Sequence, residues 1–214
     1  MPTLNPQPAE PSWLTLGREF QAIAQIGLAF SQDPFDRQRY ERIRELAASL
    51  LAQGAGLGDH AMLDYFRRES GYATPKVDVR AAAFLEGKVL LVREISDGAW
   101  TLPGGWGDVN QCARECVERE IQEESGFQAR AIKLAAVWDY RRQRNVASHP
   151  YSIYKFFFIC ELTGGEARSS IENSAVEFFR RDQLPELSLG RVTPDQIGRM
   201  YEHRNNPELM TEFD

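Results

Sequence analysis

Apolar side chains recur along this chain with two periods, and the change from one to the other divides it. Leu16, Phe20, Ile23 and Phe30 lie four, three and seven residues apart, a helical spacing. Beyond Ser31-Gln32-Asp33-Pro34, Tyr40, Ile43, Leu46, Ala47 and Leu50 keep a helical spacing as well. The spacing predicts two amphipathic helices joined by a turn, and a third short helix over 62–68. After 70–76 the pattern alternates. Residues 77–86 and 88–93 read as strands around a Glu86-Gly87 turn, which makes a hairpin, and strand-like runs return at 129–140, 151–162 and 176–180. Thr193-Pro194-Asp195-Gln196 opens a last helix, with Thr as the cap, Pro in the first turn and Gln three residues after the cap. The organisation expected is a small all-helical domain over 1–70, a linker over 71–76 and an α+β domain of mixed strands and helices over 77–214. No internal repeat or low-complexity tract interrupts it. A helical hairpin of this size buries too little to stand alone, so it should pack as a lid on the second domain or against a second copy of itself.

The chemistry concentrates between Gly104-Gly105-Trp106 and Ser125-Gly126-Phe127. At about 100° per residue, Glu120, Glu123 and Glu124 fall within one arc of a helix, overlapping the arc of Ala113, Cys116, Val117 and Ile121. All three acids are therefore expected on the inward face, with Arg114, Glu115, Glu118 and Gln122 opposite. Like charges at these spacings cost a few tenths of a kcal/mol per pair, and acids in a last helical turn oppose the helix dipole. Burial enlarges the cost. A hard divalent cation removes it, and carboxylate oxygens beside a bound phosphate are ligands that Mg²⁺ prefers. Arg119 is placed to orient one of the acids. The alternative is a solvated acidic helix face.

The run Gly105-x5-Gln111-x7-Arg119-Glu120-Ile121-Gln122-Glu123-Glu124-Ser125-Gly126-Phe127 resembles the Nudix box, Gly-x5-Glu-x7-Arg-Glu-aliphatic-x-Glu-Glu-x-Gly-aliphatic. It departs twice: Gln111 stands where the family has Glu, and Phe127 where it has an aliphatic residue. Residues 13–52, 74–80, 104–109 and 187–193 are similar to the subgroup with a helical N-terminal domain, which includes CDP-choline pyrophosphatase and proteins labelled ADP-ribose pyrophosphatase. The resemblance implies an α/β/α sandwich with a mixed sheet, and hydrolysis of a nucleoside diphosphate linked to another moiety. It implies Mg²⁺ (or Mn²⁺) held by Glu120, Glu123 and Glu124 with help from the Gly105 carbonyl, and Arg119 in the catalytic group. CDP-choline is the substrate it favours and ADP-ribose the next; it also favours a homodimer. Gln111 keeps a hydrogen-bonding oxygen and loses the charge, so weakened or altered metal binding is expected. A non-catalytic nucleotide-sugar sensor and a housecleaning enzyme for damaged nucleoside triphosphates stay open beside the hydrolase.

Residues outside the box are less determined. The general base is open among Glu123, Glu124, Glu172, Asp139 and His149, and His149 also reads as a plain loop histidine. Asp139-Tyr140-Arg141-Arg142-Gln143-Arg144 ends a strand with arginines suited to phosphate, or forms a solvated turn. Arg80 and Lys155 lie in strand patterns, where each either reaches the cleft or lines the outside. Trp106 is placed to stack on a base, whereas Trp100 and Trp138 read as core.

Composition narrows the partners. A chain of 214 residues with 43% hydrophobic content can bury a substantial core, and its net charge of −6 argues against a nonspecific nucleic-acid surface. The N-terminus lacks a signal peptide's basic and apolar regions, and no 18-residue apolar span occurs, so no membrane association and a cytoplasmic address are expected. Three cysteines fit reduced thiols. Cys112 and Cys116, four apart on the box helix, read as packing residues rather than metal ligands.

Overall fold

The two hydrophobic periods become two compact units: the first runs to Pro75 and also includes Pro150 and Ser152, and the second begins at Lys76 and resumes at Ile153. The computed structural model describes residues 11–55, 59–142, 150 and 152–214.

The helical unit consists of α1 (Ser12–Phe30), α2 (Pro34–Ala55) and α3 (Asp59–Arg67). The turn between α1 and α2 satisfies the helix ends on both sides. Asp33 accepts the backbone N–H groups of Phe35 and Asp36, each at 2.9 Å, and Arg37 donates back to the carbonyls of Leu28 (2.7 Å) and Ser31 (3.0 Å). At Gly27 a Cβ would fall 2.4 Å from the Tyr40 ring, so a bare backbone there permits the close approach of the two helices. The core is Leu14, Ala47, Ala48, Leu51, Ala52, Met62 and Phe66. This corrects the face predicted from the apolar stripe of α1: Leu16, Phe20, Ile23 and Phe30 are 45, 41, 45 and 65% exposed. The buried side of α1 is instead Leu14, Gly17, Gln21, Ala24 and Gln25. Small and amide side chains let α1 lie close to α2, and the bulky stripe is left outward.

The second unit is built on a seven-stranded sheet. Its strands are β1 (Lys76–Leu85), β2 (Lys88–Glu94), β3 (Trp100–Thr101), β4 (Phe127–Asp139), β5 (Ile153–Gly165), β6 (Asn173–Phe179) and β7 (Glu212–Phe213). The order is β3-β2-β1-β5-β4-β7, with β6 beside β2. β1 runs parallel to β5 and β4 to β7, while the other pairs are antiparallel, so the sheet is mixed. Glu86 and Gly87, at φ 50° and 80°, make the tight turn between β1 and β2. The helix α4 (Ala113–Ser125) packs Cys116, Val117 and Ile121 against Val79, Ala81 and Leu90 on one face. On the other face α5 (Pro194–Asn205) packs Ile197, Met200 and Tyr201 against Ala82, Leu91 and Phe157. Thr193 and Gln196 cap α5 reciprocally, at 3.3 and 3.0 Å. The α+β sandwich expected from the sequence is the fold observed. With both faces covered, β1 is buried continuously from Asp78 to Ala83.

One loop completes the sheet. β1 meets β2 only near the hairpin, at Phe84 and Leu85, and the rest of that edge is taken by the chain after β3. Val79 and Ala81 donate to the carbonyls of Gly105 and Pro103, both at 2.8 Å, and Gly107 donates to Val77 at 2.9 Å. Gly104 sits between these bonds at φ 145°, where a Cβ would lie 2.0 Å from the Val79 carbonyl oxygen. Gly104→Ala should therefore cost about 3 kcal/mol or more, read by chemical denaturation. A midpoint within error of wild type would show that this loop does not need its close seat on β1.

Candidate functional site

The seated loop and the last turns of α4 bring the box residues together. Glu124 reaches under the loop and accepts the N–H of Gly104 at 2.9 Å. Asn173, at the start of β6, donates to the Glu124 carbonyl at 2.6 Å, which ties the end of α4 to the sheet. Glu120 lies beside Gly105, where a Cβ would come 3.1 Å from its carboxylate oxygen. Gly126, at φ 78°, then stops the helix.

The three acids do not share one environment. Glu124 is buried, Glu120 is half-buried and Glu123 is exposed, its side chain 57% accessible. The inward placement expected for all three is thus corrected for Glu123, which sits on the solvent edge of α4 because Ile121 and Glu124 take the inner arc. Arg119 holds the exposed side together. It donates to Glu123 at 2.5 Å, Glu120 at 2.9 Å, Asp108 at 2.8 Å and Gln111 at 3.2 Å. With two acids turned to this guanidinium, no three His, Cys, Asp or Glu side chains among the described residues already form a metal cage.

Burial governs the electrostatics. It pushes the Glu124 carboxyl up to about 8, against the opposing pull of the Gly104 N–H and Arg80. It raises Glu120 as well, with Arg119 opposing. Glu94, at the end of β2, is buried and likewise raised. Its partner is Arg191, at 3.2 Å, which also reaches Asp97 at 3.2 Å and Ser188 at 2.9 Å.

Arg80 and Lys155 lie inside the unit rather than at its surface. Asp78 and Arg80 point to the same face of β1, and Asp78 stands opposite Lys155 in the β1–β5 register. Arg80 donates to both Asp78 oxygens and to the Leu102 carbonyl at 3.3 Å. The Lys155 ammonium lies 3.2 Å from Asp78 and donates to the Arg191 carbonyl; burial pushes it down to about 8. Asp139 takes Arg141 in a side-chain pair at 2.5 Å, and Arg142 follows in a 3-10 turn. Trp106 is 49% exposed at the loop's rim, while Trp100 and Trp138 pack against the core as expected. Glu172 is exposed just before β6, and its carbonyl accepts the Ile95 N–H. His149 lies outside the described residues, as do Gln143 and Arg144. The packing role expected for both cysteines holds only for Cys116, which is buried and accepts the Asp108 N–H at 3.4 Å; Cys112 is exposed at the start of α4.

Asp78, Glu94, Asp108 and Asn173 belong to the site without being among the candidates of the sequence. Asp78 was legible from its two-residue spacing to Arg80; the others join the site only through contacts distant in sequence.

With this geometry in view, comparison with known proteins decides the family. Residues 74–199 match the model of the NUDIX domain, and residues 11–66 match one described as a UDP-X-like, N-terminal oligomerisation domain. The chain belongs to the Nudix hydrolase family. A Bacillus subtilis (strain 168) protein named "Putative ADP-ribose pyrophosphatase YjhB" is 40% identical over 202 residues, 94% of this chain and 97% of its own length. Among solved structures, this Nudix hydrolase is similar to an ADP-ribose pyrophosphatase from Streptococcus suis 89-1591, with 40% identity and TM-score 0.60 over 66% of this chain and 100% of that one. It is also similar to a UDP-X diphosphatase, with 35% identity and TM-score 0.61 over 94% of this chain and 98% of that one.

The buried Glu124 carboxyl yields a test independent of turnover. Its native pKa stands above the ordinary carboxylate range, so the folded protein holds this proton more tightly than the unfolded chain does, and stability falls as pH rises towards 8. Glu124→Gln has no proton to lose. In chelator-treated buffer its stability relative to wild type should rise by about 4 kcal/mol from about pH 5 to about pH 9, measured by urea denaturation. A difference that does not change with pH would mean that Glu124 is not held protonated.

Proposed function

We propose that this Nudix hydrolase is a metal-dependent pyrophosphohydrolase that splits a nucleoside diphosphate linked to a second moiety, releasing a nucleoside monophosphate and a phosphorylated product. The observation that carries this reading is the meeting of Glu120 and Glu124 with the Gly104-Gly105 loop, with Glu123 one turn of α4 from Glu120. The donors fit a hard divalent cation: carboxyl oxygens, one set on the desolvated Glu124, whose raised proton affinity a cation would relieve by replacing the proton, beside the Gly105 carbonyl, which also accepts the Val79 N–H. Glu120, Glu123 and Glu124 would hold Mg²⁺ or Mn²⁺ there. When bound, the ion would neutralise phosphate charge and acidify the attacking water.

The chain's own residues do the rest. Before an ion binds, Arg119 holds Glu120 and Glu123 in place through charge-assisted bonds. Buried Arg80, held by Asp78 near Glu124, adds fixed positive potential behind the phosphate position. Lys155 acts through Asp78 rather than by touching substrate. Trp106, exposed on the loop that carries Gly105, is the surface for a base to stack on. Among the candidate bases, Glu172 is exposed and directly precedes Asn173, which bonds the Glu124 carbonyl, and it would take the proton of the attacking water. The names of the relatives support ADP-ribose and UDP-linked substrates; none of those described above supports the CDP-choline preference expected from the sequence.

The helical unit supports a homodimer. Leu16, Phe20, Ile23 and Phe30 form an exposed apolar stripe along α1, and the model matching this region is described as an oligomerisation domain. A stripe of this kind is a usual contact between copies.

Purified protein with Mg²⁺ or Mn²⁺ should cleave ADP-ribose or a UDP-linked compound faster than CDP-choline or nucleoside triphosphates, with products read chromatographically. Glu123→Gln and Glu124→Gln should each lower the rate by about a hundredfold or more with the circular dichroism spectrum unchanged. Rates near wild type in both variants would remove the proposed metal site. For the dimer, Phe20→Asp should halve the mass measured by light scattering; an unchanged mass would move the contact elsewhere.

A further inference from the structure

Arg119 has more acceptors than the cation site leaves it. Two of its partners, Glu120 and Glu123, are the carboxylates that the preceding reading gives to a divalent ion. An ion on those oxygens repels a guanidinium that shares them, because like charges a few ångströms apart interact strongly in a half-buried site. Arg119 must then lean on its other side, where Gln111 offers an uncharged oxygen at 3.2 Å and Asp108 a carboxylate at 2.8 Å.

The backbone puts Asp108 there. Gly107 donates to Val77 on β1, and the next N–H, that of Asp108, donates to the buried Cys116 sulfur of α4. The loop then turns through Asn110, at φ 63°, and brings Gln111 back to the same guanidinium. Residues 108 and 111 therefore converge on Arg119 from one loop.

We propose that Asp108 is a positioning residue for the cation site: it anchors Arg119 away from Glu120 and Glu123 and supplies the negative charge that Gln111 lacks. The proposal rests on the metal-site reading above. Asp108 acts through Arg119 and touches neither ion nor substrate. A carboxylate at 111 would face the same guanidinium, so the two positions are interchangeable in charge.

The test is Mn²⁺ binding followed by electron paramagnetic resonance, in the absence of substrate, on wild type, Asp108→Asn, and Asp108→Asn combined with Gln111→Glu. Asp108→Asn should weaken Mn²⁺ binding by roughly fivefold, the scale of one partly exposed ion pair. The loss should shrink with added salt. Gln111→Glu should restore affinity to within about twofold of wild type. A merely structural pair would lower the thermal midpoint of Asp108→Asn and leave Mn²⁺ affinity unchanged; that result overturns the proposal, as does failure of Gln111→Glu to rescue. If wild type itself bound no Mn²⁺, the metal-site reading would fall and this proposal with it. Normal binding by wild type with an unaffected Asp108→Asn removes the role of Asp108 alone.

Discussion

The bond from the Gly104 N–H to the Glu124 carboxylate is the contact on which the rest of the site depends. It joins the loop lying along β1 to the last turn of α4, and it does so where the carboxylate is out of water. Each partner is fixed from behind. The loop is held by backbone bonds to Val77, Val79 and Ala81, and the end of α4 by Asn173 bonding to the Glu124 carbonyl. A carboxyl in this position pays for its burial with a raised affinity for protons, and by the same logic for any cation that replaces the proton.

Around that bond the charges fall into two layers. Beneath the loop, Asp78, Arg80 and Lys155 form a buried group in which one acid serves two bases, so the sheet carries net positive charge under the carboxylates. At the solvent side, Arg119 gathers Glu120, Glu123 and Asp108. The two layers differ in mobility for a physical reason. Desolvated ion pairs with multiple hydrogen bonds are costly to break, whereas a partly exposed guanidinium exchanges partners at little cost. The inner layer therefore suits a fixed electrostatic background and the outer one suits rearrangement on binding.

The helical unit obeys a different constraint. Its helices approach through glycine, alanine and amide side chains, and the larger apolar residues of α1 remain outside. Hydrophobic periodicity identifies which residues lie on one side of a helix; it does not say which neighbour that side meets. Here the stripe is available to a second chain, in keeping with the description of the domain model that matches it.

What the sequence by itself determined was local. The helix of the box, the Glu86-Gly87 turn, the cap at Thr193 and the fixed spacing of Arg119, Glu120, Glu123 and Glu124 all follow from periods and neighbours within a few residues, and the box spacing also carried the family. Tertiary structure alone decided the rest. Glu123 and Glu124 are adjacent, yet one is exposed and the other buried, because the boundary of a packed helix face depends on what packs against it. Lys155 reads as a surface or cleft cation until the parallel pairing of β1 with β5 sets it opposite Asp78. Asp108 gains its role only when the loop folds back on α4 and places it against Arg119. Burial and ion pairing belong to the assembled sheet, since both depend on atoms contributed by segments distant in the chain.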